Sequence, residues 1–194
     1  MNRTLAALMM TVTALGAALS AAPALAQGAE GPINVVSPQP LPIDDSRPRV
    51  FLGGSIDMGG APDWQAAMTS ALADMDVVIL NPRRPDWNPN WRPEADEPEF
   101  RRQVEWELAA LESADVIVMY FAPGTQSPIS LLEMGLHARG GKLIMLAPDG
   151  FWRKGNVDIT AQAYGVRQVQ SLPELTAAVR EALNEAAAKG RFAR

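Results

Sequence analysis

Val116-Ile117-Val118-Met119-Tyr120-Phe121 leads, after Ala122 and Pro123, into Gly124-Thr125-Gln126-Ser127-Pro128-Ile129-Ser130-Leu131-Leu132-Glu133-Met134-Gly135. The first run is short, apolar and β-rich, the pattern of a central strand buried on both faces of a parallel sheet. The polar turn at Gly124 to Ser127 then lies at that strand's carboxyl end. Ser127 can cap the following helix, Pro128 fits its first turn, and Ile129, Leu132, Glu133 and Leu136 recur on one face. Glu133 is therefore expected to point inward, where a charge is costly unless it is paired or its pKa moves. The alternative for such an acid is to reach the rim or to pair with an arginine.

Working outward, the same strand-then-helix rhythm repeats. Arg49-Val50-Phe51-Leu52 reads as a first strand ending in Gly53-Gly54-Ser55, a small-residue turn that would let a ligand approach the backbone. Pro62 and Asp63 open a helix carrying Trp64, Ala67, Met68, Ala71 and Leu72, and Val77 to Leu80 is the second strand. Phe100, Val104, Leu108 and Leu111 mark the helix before the 116–121 strand. Lys142 to Ala147 supplies a fourth strand, Val166 to Val169 a small fifth, and Ser171-Leu172-Pro173-Glu174 a capping box for the last helix. The pattern predicts an α/β fold: a doubly wound, five-stranded parallel sheet with helices on both faces, in order 2-1-3-4-5. In that order the winding reverses between the strands ending at Gly53 and Phe121, where ligands bind in such sheets.

Residues 1–26 read as a cleaved export signal: Arg3, an apolar stretch from Leu5 to Leu19, and Ala24-Leu25-Ala26 before Gln27. The apolar part is shorter than the roughly 20 residues that span a bilayer, so no stable membrane anchor is expected. Pro32, Pro38, Pro40 and Pro42 give residues 27–47 the look of a proline-rich linker, leaving a single domain over 48–194. The chain carries a formal charge of −5, which becomes −6 without Arg3, and no basic block stands out, which argues against a nucleic-acid polymer as partner. The lack of cysteine excludes disulfides, thiol catalysis and cysteine-bound zinc, and the lone His137 cannot build a histidine-rich metal site. No metal or other cofactor is expected.

Glu107 borders the buried stripe of its helix, three residues after Val104 and four before Leu111. Two glutamates facing one cleft suit chemistry at an acetal or N-glycosidic carbon, one as nucleophile and one handling the leaving group's proton. Thr125, Ser127 and Ser130 at the helix mouth are candidates for sugar hydroxyls or a phosphate. In the proline-rich loop from Asn81 to Pro98, Trp87 and Trp91 would either stack on a planar base or pin the loop to the surface. Arg83, Arg84 and Arg92 would meet a phosphate or solvate the loop.

Phe51-Leu52-Gly53-Gly54-Ser55-Ile56, Gln103-Val104-Glu105-Trp106-Glu107 leading to Ala114-Asp115, and Ser130-Leu131-Leu132-Glu133-Met134-Gly135 together resemble the three signature regions of the nucleoside 2-deoxyribosyltransferase superfamily, closest to its 2-deoxyribosyltransferase-like branch. The resemblance implies a flavodoxin-like enzyme that cleaves a nucleoside N-glycosidic bond through a covalent deoxyribosyl-glutamate. Glu133 falls on the family's nucleophile. Glu107 falls where the family usually has an aspartate that protonates the base, and Gly53, Gly54 and Ser55 match the sugar-binding turn. Where active members often have a tyrosine, this chain has Phe51, with Tyr120 the nearest substitute. Asn156 is the nearest counterpart of the residues that a neighbouring subunit contributes, and a homo-oligomer is expected by analogy. The partner implied is a small nucleoside or nucleotide, and a periplasmic or secreted location favours hydrolysis over base exchange. The other reading is a catalytically silent nucleotide or nucleotide-sugar binding module of the cell envelope.

Overall fold

The computed structural model describes residues 31–57 and 60–190; the expected export signal over 1–26 lies outside them. The strands are β1 (Ile33–Val36), β2 (Arg49–Gly54), β3 (Val78–Asn81), β4 (Val116–Tyr120), β5 (Leu143–Leu146) and β6 (Arg167–Gln168). The helices are α1 (Trp64–Ala71), α2 (Pro98–Ser113), α3 (Pro128–His137), α4 (Lys154–Tyr164) and α5 (Leu172–Lys189). All strand pairs are parallel, in the order β1-β3-β2-β4-β5-β6.

The expected five strands in order 2-1-3-4-5 are thus corrected to six in the order 1-3-2-4-5-6, still a flavodoxin-like arrangement. The unanticipated strand is β1, inside the stretch read as linker. Ile33-Asn34-Val35-Val36 pairs with β3 from Ile33 opposite Val78 to Val36 opposite Asn81. Only Val35 of these four is buried, as suits an edge strand, and the flanking prolines mask so short a run.

Alternation along the central strands sends side chains to two cores. On one face Phe51, Leu80, Ile117 and Met119 meet Trp106 and Leu111 of α2, Met134 of α3, and Val157 and Ala161 of α4. On the other, Val50, Leu52, Ile79 and Val118 meet Met68 and Leu72 near α1, and Leu175, Val179 and Leu183 of α5. Both faces of β2 and β4 are covered, which is why these strands read as unbroken apolar runs.

The helix starts follow their sequence signals. Asp63 Oδ1 accepts from the Ala66 amide at 3.0 Å at the head of α1. Ser171 Oγ accepts from the Glu174 amide at 3.3 Å at the head of α5, while Glu174 Oε2 accepts from the Gln170 amide at 2.9 Å. Because β2 lies between β3 and β4, the chain winds to opposite sides of β2, which makes the carboxyl ends of β2 and β4 the switch point of the sheet. No helix among the described residues is long and apolar enough to cross a membrane.

Candidate active site

At the switch point stands the end of β2. Gly54 has φ 124°, and a Cβ there would stand 2.3 Å from the Tyr120 carbonyl oxygen and 2.7 Å from its amide nitrogen. A Cβ on Gly53 would meet Phe51 Cε1 at 3.1 Å and Met119 Cγ at 3.4 Å. The smallness expected to admit a ligand is therefore used by the close approach of β2 to β4 and by core packing. Ser55, the next residue, is fully buried and is the hub of the site.

The Ser55 hydroxyl accepts from the Ala122 amide at 2.8 Å and lies 2.7 Å from Thr125 Oγ1 and 2.6 Å from Ser127 Oγ. Thr125 Oγ1 donates to the Ala122 carbonyl at 2.8 Å and stands 3.1 Å from Ser127 Oγ. With one proton per hydroxyl and that of Thr125 given to the Ala122 carbonyl, the other two can run Ser127 to Ser55 to Thr125 or Ser55 to Ser127 to Thr125. Ser127 is the partly exposed member of the three, and so the one a ligand's O–H or N–H could reach.

Ser127 occupies the capping position of α3 as expected, but its side chain makes no capping bond, and its backbone is left-handed with φ 48° and ψ 51°. That conformation turns the hydroxyl toward Ser55 and costs a non-glycine residue about 1 kcal/mol. Ser127→Gly relieves the strain while losing the hydroxyl, whereas Ser127→Ala only loses the hydroxyl. Chemical denaturation should therefore find the glycine variant more stable than the alanine variant by about 1 kcal/mol.

On α3 the buried residues are Ser130, Glu133 and Met134. Glu133 points inward, but Ile129, Leu132 and Leu136, expected beside it, are 59%, 61% and 59% exposed. The correction has a simple cause. Met134 and Ala138 seat the helix on the core, and this rotates Ser130 and Glu133 inward and the three large aliphatics out.

Glu107 reaches toward Glu133 from α2. Burial raises the Glu133 pKa to about 8, and the negative charge of Glu107 adds to the rise. Burial likewise lifts Glu107 to about 7, opposed by a hydrogen bond from Gln103. Both acids therefore favour their protonated forms near neutrality, Glu133 the more so, whereas a nucleophile acts as the ionised carboxylate.

Gln103, the first residue of the second signature region, is 5% exposed. Its Nε2 donates to Glu107 Oε1 at 2.9 Å and to the Pro82 carbonyl at 3.0 Å, and its Oε1 accepts from Ser37 Oγ at 2.6 Å. Its signal was available: a glutamine four residues before an acid, on the same helix face as Trp106 and Ala110.

Raised carboxyl pKa values link stability to pH in a fixed sense. The folded state binds more protons than the unfolded chain between about pH 4.5 and pH 8, so stability is full below that window and is lost as pH rises through it. Thermal unfolding should show a midpoint falling from pH 5 to pH 8.5. Glu133→Gln should flatten the decline, since each tenfold change in proton affinity is about 1.4 kcal/mol.

The other candidates divide. Thr125 and Ser130 are buried at the mouth of α3. Asn156 is exposed in the first turn of α4, whose Val157 and Ala161 are the buried residues. Trp87 packs edge-on against Trp91 at 5.2 Å, and the Arg84 guanidinium lies 4.9 Å over the Trp91 ring. Arg84 also holds Asp86 through two hydrogen bonds, and Arg92 pairs with Glu94 and Asp96. These contacts tie residues of the loop to one another. Tyr120 packs edge-on against Trp64 at 5.8 Å on the α1–α5 face, whereas Phe51 lies on the face of α2 and α3. The tyrosine cannot take the place of Phe51.

Residues 47–151 match the family described as "Nucleoside 2-deoxyribosyltransferase like". Among solved structures the chain is similar to the crystal structure of a conserved protein from Enterococcus faecalis V583, with a TM-score of 0.50 and 13% identity over 72% of this chain and 99% of that one. At that identity the likeness shows the fold alone. No curated protein matches the chain.

Proposed function

The chain belongs to the nucleoside 2-deoxyribosyltransferase-like family, and on that premise we propose that it breaks the N-glycosidic bond of a nucleoside or nucleotide through a glycosyl ester on Glu133. The observation that carries this reading is the pair of acids on facing helices, Glu133 and Glu107, each with its proton affinity raised by burial. In the first step a Glu133 oxygen bonds to C1′ as the C1′–N bond breaks. The bonding electrons go to the base nitrogen, which takes the proton from Glu107. In the second, water or the nitrogen of another base gives a proton to Glu107 and bonds to C1′, releasing the Glu133 carboxylate. The hydroxyls of Ser55, Thr125, Ser127 and Ser130 supply the polar wall for the sugar or its phosphate. An export signal over 1–26 favours water as acceptor, and no cofactor enters the scheme.

The test is intact-protein mass spectrometry of the domain incubated with 2′-deoxynucleosides and deoxynucleotides, alongside chromatography for free base. A sugar-sized adduct or released base that disappears in Glu133→Gln supports the proposal. Absence of both across the panel overturns it.

One observation favours a second reading, a silent nucleotide or nucleotide-sugar binding module. Phe51 presents no hydroxyl where active members often carry a tyrosine, and Tyr120 faces the other side of the sheet. Binding by wild type without either product would select that reading.

A further inference from the structure

Gln103 is held by two other partners so that one N–H is left to donate to Glu107. The Pro82 carbonyl can only accept, so the amide nitrogen must face it, at 3.0 Å. That fixes Oε1 toward Ser37, whose hydroxyl donates to it at 2.6 Å. The remaining N–H then meets Glu107 Oε1 at 2.9 Å. A flipped amide would set its oxygen against both the Pro82 carbonyl and Glu107, two repulsions for one new bond. Every polar atom of this buried side chain is thereby used.

We propose that Gln103 is a positioning residue for the acid/base, locked by Ser37 and Pro82, and that it confines the transferable proton of Glu107 to Oε2. An oxygen that accepts from a fixed N–H cannot also carry the acid proton in that direction, so Oε1 is the anchored oxygen and Oε2 the working one. The inference rests on the reading of Glu107 as proton donor, but the geometry concerns the resting protein. It also gives the unanticipated edge strand a task, since Ser37 directly follows β1 and its amide donates to the Asn81 carbonyl at 3.0 Å. Among the described residues the groups that meet Glu107 are Gln103 from its own helix and the Glu133 carboxylate from α3; the loops after β1 and β3 act on it only through the neutral Ser37 and Pro82.

The experiment needs no substrate. Carboxyl 13C and side-chain amide 15N resonances of wild type are followed from pH 4 to 10, with Gln103→Met and Ser37→Ala beside it. The Gln103 amide should show an inflection at the pH where Glu107 titrates. Gln103→Met should raise the Glu107 pKa by about one pH unit, the size of a lost hydrogen bond to a charged group. Ser37→Ala should raise it by less. A Gln103 amide that does not respond to Glu107, or an unmoved Glu107 titration in a folded Gln103→Met protein, overturns the proposal. Should that variant not fold, the wild-type amide titration decides alone. Failure of base release in the separate activity assay would sink the glycosidic reading and leave these titrations as they are.

Discussion

Glu133→Gln is expected to abolish both the covalent adduct and base release, lowering turnover by about 10⁴-fold or more, because an amide cannot take the nucleophile's place. The change is nearly isosteric, and it removes a buried acid whose ionisation is costly, so the variant should fold and be more stable than wild type at pH 8. Retained ligand binding with lost chemistry is therefore the expected result, measured by calorimetry and single-turnover assay on one preparation. Glu107→Gln separates the two roles. Loss of a general acid costs about 10² to 10⁴-fold, and less for a base that leaves without protonation. If Glu133→Gln turns over as wild type does, the nucleophile is elsewhere and the mechanism falls.

Gly54→Ala is expected to leave little folded protein. Its Cβ would lie 2.3 Å from a backbone oxygen of the neighbouring central strand, and φ 124° is strained for any L side chain. Relief would require parting β2 from β4, so a cost above about 4 kcal/mol is expected against a total stability of about 5–15 kcal/mol. The other glycines calibrate the effect. Gly53→Ala meets only side-chain atoms of Phe51 and Met119, which can shift, and should cost about 1–3 kcal/mol. At Gly124 nothing lies within 4 Å of an added Cβ, so only φ 76° opposes the change, at about 1 kcal/mol. Soluble yield and denaturation midpoints should follow that ranking. A folded Gly54→Ala protein with a wild-type midpoint would contradict the close packing of β2 on β4.

The sequence made the central strands readable because β2 and β4 are covered on both faces and so must be apolar throughout. The edge was not readable in the same way. β1 buries a single side chain, Val35, and what holds it is backbone pairing to β3, which leaves no mark on composition. The inward direction of Glu133 was legible, but its companions were not. The more apolar face of α3 is the exposed one, and the side chosen by packing carries Ser130, Glu133 and Met134 rather than the larger aliphatics. Ser127 has the right residue type for a cap, and only the left-handed backbone reveals that its hydroxyl serves Ser55 instead. Spacing pairs Gln103 with Glu107, but its other partners, Ser37 and Pro82, lie 66 and 21 residues away along the chain and leave no local mark.

The six parallel strands among the described residues give the molecule a polarity that bears on how it can be held. The chain enters the sheet at Ile33, the amino end of β1, while the acids and hydroxyls gather at the opposite rim, where β2 and β4 finish. α5 returns antiparallel to the strands, and its last turns pass the amino end of the sheet beside Arg47 and Asp76. Both ends of the described domain thus leave from the same pole, a strand's length of roughly 15–20 Å from the acids and hydroxyls. A surface, a tether or a fusion partner attached there presents the mouth outward, free to meet what diffuses past.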